Sequence, residues 1–128
     1  MDRNLREVVE TRNYDALVAT PHDVDVFTAT LRQTEAVQTL KAGTVLALSE
    51  KDDKYVILGT NANDSEVLVA NAILAEDVET STTADINATA FRQGHFNRKA
   101  LIVKSDYTLS NKDIEKLRSA GIYLETEI

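Results

Sequence analysis

The run EVLVANAILA (66–75) constrains this chain more than any other stretch. Val67 and Val69 fall on one face of an extended chain, Leu68 and Ala70 on the other, and Ile73 and Leu74 follow. Side chains alternate faces along a strand, so a run that is apolar on both faces reads as a strand buried on both sides. Such a strand needs a body able to cover it twice. A chain of 128 residues, one domain by length, buries roughly two thirds of its unfolded surface and can do so without staples. Asn71, in the middle of the run, marks either a bulge or a buried polar contact.

Strands of similar composition surround it. LKAG (40–43) turns into TVLALS (44–49), EKDD (50–53) is polar and hairpin-like, and KYVIL (54–58) returns, rich in β-formers. GTNANDS (59–65) is a loop by composition. Glu76, Asp77, Val78 and Glu79 lead into a Ser/Thr connection at 80–83. Ile86, Ala88 and Ala90 then alternate with Asn87, Thr89 and Phe91 in a further strand, which Gly94 is expected to end. Asn97 is placed to cap a short helical turn over 98–101. One helix is expected, near the C-terminal end. Ser110 and Asp113 approach a capping box, Ile114, Leu117 and Ala120 share a face, and Gly121 is the left-handed stop. Lys116 and Arg118 sit where the helix dipole favours positive charge. Ile122, Tyr123 and Leu124 follow as an extended tail. The whole reads as mainly β with a minor helical part.

The N-terminal part differs. Residues 1–35 read as an extended arm and residues 36–128 as the β-rich body, which opens near Val37. Leu5, Val8 and Val9 are scattered among charges, and Pro21, His22, Asp23 and Asp25 break regular patterns. Tyr14 and Leu17 belong to a docking patch at 14–19, and Val24, Val26 and Thr28 alternate with Asp25, Phe27 and Ala29 in a strand piece at 24–31. Arms of this kind often gain order on meeting a partner. The first fifteen residues are too charged to hold a signal-peptide core and no apolar run is long enough to span a bilayer, so a soluble, unexported chain is expected.

Composition excludes most chemistry. The net charge is −7, from 21 acidic and 14 basic residues, and such a chain is repelled by nucleic-acid backbones. There is no cysteine, hence no disulfide, thiolate nucleophile or thiolate metal site. Of the two histidines, His22 lies beside Asp23 and Asp25, where a solvated loop is a stronger reading than a chelate. His95 has no nucleophile motif beside it and reads as a surface or interface histidine. Asp52, Asp53 and the loop 61–66 lack the central glycine and flanking helices of a calcium loop. Glu76 and Asp77 could pair for acid–base work, but there is no tryptophan to bind a sugar beside them. The four glycines lie far apart and make no phosphate cradle. No cofactor, metal or enzymatic activity is expected. One alternative is a small β-rich interaction or carrier domain. LKAGTVLA (40–47) resembles the first strand of biotinyl and lipoyl carriers, with Lys51 and Lys54 the nearby lysines, though neither has the usual sequence context.

Taken in order, LKAGTVLA (40–47), KYVIL (54–58), SEVLVANAILAEDV (65–78), ATAFRQGHFNRKALI (88–102) and the closing DIEKLRSAGIYL (113–124) resemble the lambda D-like head decoration proteins of tailed bacteriophages. The segment 14–19 with its extended continuation is similar to the arm that precedes the body in that family. The resemblance implies a compact β-tulip-like or β-barrel-like body with little helix behind an extended arm; the one short C-terminal helix is read from the residues themselves. It implies a non-enzymatic virion protein, made in the bacterial host cytoplasm, that binds the outer surface of the expanded head and stabilises it against internal DNA pressure. Its implied partners are the major capsid protein and further copies in a homotrimer, with no direct nucleic-acid or membrane contact. Leu5, Val8, Val9, Tyr14 and Leu17 are the candidate capsid-binding residues. The charged N-terminus and the final helix with its tail depart from lambda's own protein.

Overall fold

The computed structural model describes residues 18–62 and 66–125. Among the described residues eight strands form: β1 (Val18–Leu31), β2 (Thr39–Leu40), β3 (Val45–Ser49), β4 (Tyr55–Ile57), β5 (Leu68–Leu74), β6 (Val78–Glu79), β7 (Ile86–Asn97) and β8 (Ile122–Glu125). A single turn of 3-10 helix, Arg98–Ala100, follows β7, and helix α1 (Asn111–Ala120) precedes β8. The large sheet runs β1-β4-β3-β5-β7-β8, and β1 also pairs with β7. That second pairing closes β1, β4, β3, β5 and β7 into a five-stranded barrel, with β8 added to the outer half of β7. β2 and β6 form a separate two-stranded piece.

The run that is apolar on both faces explains this architecture. Ala72 and Leu74 of β5 point into the barrel with Ala29, Leu31, Leu46, Tyr55, Ala88 and Ala90. Five strands enclose little space, and four of those eight side chains are alanines. Ala70 and Ile73 point the other way, into a second core with Val45, Ala47, Phe91, Phe96, Leu117 and Ile122. Helix α1 packs over β5 there and closes that core from outside. β5 is thus the wall between two cores. Asn71 lets it face both: Leu46 pairs with Ala72 and Ala47 with Ala70, so Asn71 is the extra residue of a bulge. The bulge switches which parity faces the barrel. Asn71 Oδ1 also accepts a hydrogen bond from the Tyr55 hydroxyl at 3.0 Å, so both sequence-based readings of this residue hold.

The β3–β4 hairpin, the Asn97-capped turn and α1 form as expected. Ser110 and Asp113 make a full capping box, and Gly121 ends the helix in the left-handed region at φ 110°. Three readings need correction. Gly94 does not end its strand: β7 runs on to Asn97 because the start of β1 and all of β8 pair with that last segment, and long-range hydrogen bonds outweigh the local glycine. The extended tail at 122–124 is therefore a strand of the main sheet. Nor does the sheet begin near Val37, which lies in a connection and is 59 % exposed. Residues 24–31 belong to the barrel, with Ala29 and Leu31 in its interior. Val67 lies just before β5 and is exposed.

Candidate functional site

β1 is the strand through which residues 1–17 join the barrel. Its first residue, Val18, lies opposite Phe96, and Thr20 lies opposite His95. From there β1 stays with β7 to the pair Leu31–Ile86, nine residue pairs in all, with register shifts before Val26. Anything that pulls on the chain ahead of Val18 loads this antiparallel ladder. On the other side of the same segment of β7 lies β8, parallel, with Gly94 opposite Ile122 and Asn97 opposite Glu125. Among the described residues β8 is the free edge of the large sheet.

His95 sits in this segment of β7, between β1 and β8. Its ring stacks on Tyr123 at 5.0 Å between centroids, and Nδ1 lies 2.9 Å from Glu125 Oε2. A histidine oriented by an acid is half of a catalytic arrangement. The other half is missing among the described residues: no hydroxyl bonds the ring, and neither of the two clefts described below is lined by His95. It is a half-exposed surface histidine, as the sequence suggests.

The end of β1 is built differently. Arg32, the residue after β1, donates to the Glu66 carboxylate, whose side chain is only 2 % exposed. Ser49 Oγ donates to the same carboxylate at 2.6 Å, and Asp52 lies 3.4 Å from the guanidinium. Beside them Lys54 Nζ pairs with Asp85 at 2.6 Å, and Asp85 also accepts the Gln33 N–H at 2.9 Å. The hydrogen bond to Glu66 raises the Arg32 pKa, and the bond to Asp85 raises that of Lys54. The Lys54 ammonium and the Gln33 N–H hold Asp85 below the usual carboxylate range. Desolvation pushes Asp52 up, but the Lys54 N–H, the Ser49 hydroxyl and Arg32 outweigh it and leave Asp52 lowered. The cluster has a structural task. β1 and β4 share a single register pair, Leu31–Tyr55, with Arg32 N donating to Tyr55 O at 2.9 Å. The charged groups tie the chain segments around this weak seam together.

A cleft of about 690 Å³ opens beside the seam, between the connection 32–38, β4 and the segment 103–105. Leu31, Leu40, Tyr55, Ile57 and Val103 give it apolar walls, and Gln33, Thr34 and Asn61 supply polar groups. A smaller one lies over the Arg32–Glu66 cluster itself.

Several sequence candidates turn out to be structural. Glu76 accepts the Thr89 N–H at 2.8 Å and Asp77 the Ala42 N–H at 2.8 Å, so this acid pair pins turns. Asp25 is paired with Arg92 at 2.7 Å. Lys51 is exposed on the β3–β4 hairpin and Lys54 is held by Asp85. No group of three acids or histidines among the described residues could hold a metal ion. No helix among them is long and apolar enough to cross a membrane. Leu5, Val8, Val9, Tyr14 and Leu17 lie outside the described residues. Glu66 and Arg32 were missed by sequence reasoning; the available signal was a lone acid heading a run buried on both faces.

No curated protein matches the chain significantly. A family model described as bacteriophage lambda head decoration protein D matches residues 10–122. That match takes in the barrel and helix α1, and the chain belongs to the bacteriophage lambda head decoration protein D family.

Proposed function

We propose that this protein binds the outer surface of the expanded phage head through its N-terminal arm and holds neighbouring shell subunits together against the pressure of packaged DNA. Family membership makes it a structural protein of the phage head. The observation that carries the finer reading is the anchoring of β1: the chain ahead of Val18 leaves from a strand paired with β7 over nine residue pairs. A load on the arm is thereby passed into a closed barrel.

A shell under internal pressure fails where subunits part. A clamp that spans several subunits adds its binding free energy to each contact that must break. The arm binds by adding a strand to a sheet of the major capsid protein, with Leu5, Val8, Val9, Tyr14 and Leu17 filling side-chain pockets. Three arms on a homotrimer act together, so modest single contacts sum to tight attachment. Preference for the expanded head requires only that the pockets be assembled in that state. The part of the chain that binds is then residues 1–17 and the part that bears load is residues 18–125.

Co-sedimentation tests this directly. The full chain should pellet with expanded heads of its phage and not with unexpanded ones. A chain starting at Val18 should keep the melting transition of the full protein and bind at least about tenfold more weakly. Failure of the full chain to pellet with expanded heads would sink the proposal.

A further inference from the structure

The far end of β1 is held unlike the rest of the strand. Between Val18 and Val26 its register with β7 shifts three times, and only over 26–31 does it run unbroken. On its other side, among the described residues, β1 meets β4 at the single pair Leu31–Tyr55. Charged groups stand just past that pair. Arg32 grips the buried Glu66 carboxylate with both Nη atoms, Nη1 at 3.4 Å from Oε1. Lys54 precedes Tyr55 and Asp85 precedes Ile86, the two partners of Leu31. Their bridge at 2.6 Å therefore crosses the end of β1, and Asp85 also accepts the Gln33 N–H.

A buried ion pair adds little to equilibrium stability, because desolvation offsets most of the attraction. What a forked guanidinium–carboxylate contact supplies is fixed geometry. The barrel interior makes that geometry matter. Phe27, Ala29 and Leu31 of β1 point inward in that order, with Phe27 edge-on to Tyr55 at 5.7 Å between ring centroids. If β1 slid one residue toward the arm, Arg32 would take the place of Leu31 and turn inward, where an apolar lining offers a charge no partner. If it slid two, Leu31 would enter the Ala29 site and Ala29 the Phe27 site, which overpacks one layer and empties the next. Arg32 is the first residue that would have to enter, and it is the one held from outside.

We propose that the Arg32–Glu66 and Lys54–Asp85 pairs are a mechanical stop: they set how much tension β1 bears before it leaves the barrel, and they do not set affinity for the shell. The inference rests on the reading that the arm passes load from the shell to the barrel. Tension ahead of Val18 draws β1 along its own axis, away from these pairs. β7 is antiparallel to β1, so the ladder between them is loaded lengthwise and its hydrogen bonds share the load. Movement begins only when the far end of β1 is released. Forced unfolding follows the unfolding rate and not the equilibrium, so a contact that is near neutral at equilibrium still decides it.

The test compares lifetime under force with lifetime in urea. The chain has no cysteine, so Thr82→Cys, at an exposed residue ahead of β7, gives one handle and a tag ahead of Met1 the other. The full-length protein is held between them at constant force. Arg32→Met/Glu66→Leu removes one pair, Lys54→Met the other, and Glu115→Gln/Arg118→Met, an exposed pair on α1, is the control. Each of the first two should shorten the lifetime under force by about tenfold and the lifetime in urea by less than about twofold, while the control changes neither. On expanded heads both should reach wild-type occupancy, and those heads should release DNA at a lower temperature than heads carrying wild type. Lifetimes that fall in equal proportion under force and in urea overturn the inference, since a merely structural pair would act that way. So do an unchanged lifetime under force, a control that loses as much, reduced occupancy, or heads as durable as with wild type. Wild type that never binds heads overturns the proposed function instead, and the ratio of lifetimes in the free protein still decides the stop.

Discussion

Glu66 sits almost wholly out of water, with Arg32 and Ser49 as its hydrogen-bond partners. Removing one side of such a pair strands the other, whereas replacing both with apolar groups need not cost stability. Glu66→Ala should therefore lower unfolding free energy by about 3 kcal/mol, read from urea denaturation, while Arg32→Met/Glu66→Leu should recover most of that loss. The neighbouring carboxylates set a pH dependence. Asp85 and Asp52 are lowered in the folded state, so their stabilising contribution is complete above the ordinary carboxylate pKa of about 4 and is lost as pH falls through the lowered folded value. The melting temperature should drop below about pH 4, and Asp85→Asn should flatten that acid limb; an unchanged limb would deny Asp85 the role. Gly59 has a φ of +107°, and an added Cβ would lie 2.7 Å from Tyr107 Cβ and 2.8 Å from Lys104 Cβ. Gly59→Ala should cost about 3 kcal/mol by the same measurement.

Helix α1 is the element that a local reading of the sequence recovers best. Ser110, Asp113 and Gly121 mark its ends by chemistry that acts within a few residues. Ser110→Ala should cost about 1 kcal/mol, and Leu117→Ala, on its buried face, about 3 kcal/mol; equal small losses would mean that α1 does not seal the second core. β5 was legible for a related reason: its two apolar faces report two cores from composition alone. β7 was not. Gly94 reads locally as a stop, and only the distant partners at 18–20 and 122–125 show that the strand continues. Residues 24–31 were legible as a strand but not as a barrel wall, since their partner strand lies some sixty residues away. The Arg32–Glu66 cluster was hidden for the same reason: one side chain follows β1, the other precedes β5, and nothing near either names its mate. The family, by contrast, was legible from an ordered set of short phrases spanning most of the chain.

At the scale of the molecule the proposed function separates two tasks. Residues 18–125 supply a closed barrel backed by a second core, and the chain ahead of Val18, proposed as the binding arm, joins it through β1. The central claim is that the arm, and not the barrel, carries attachment to the shell. A density map of expanded heads decorated with the full-length protein tests the central claim most directly. The account predicts that the chain ahead of Val18 runs as an added strand on a sheet of the major capsid protein at the outer surface, with Leu5, Val8, Val9, Tyr14 and Leu17 in contact with the shell. A map in which those residues fold back on their own barrel, while other surfaces make the shell contacts, would contradict it.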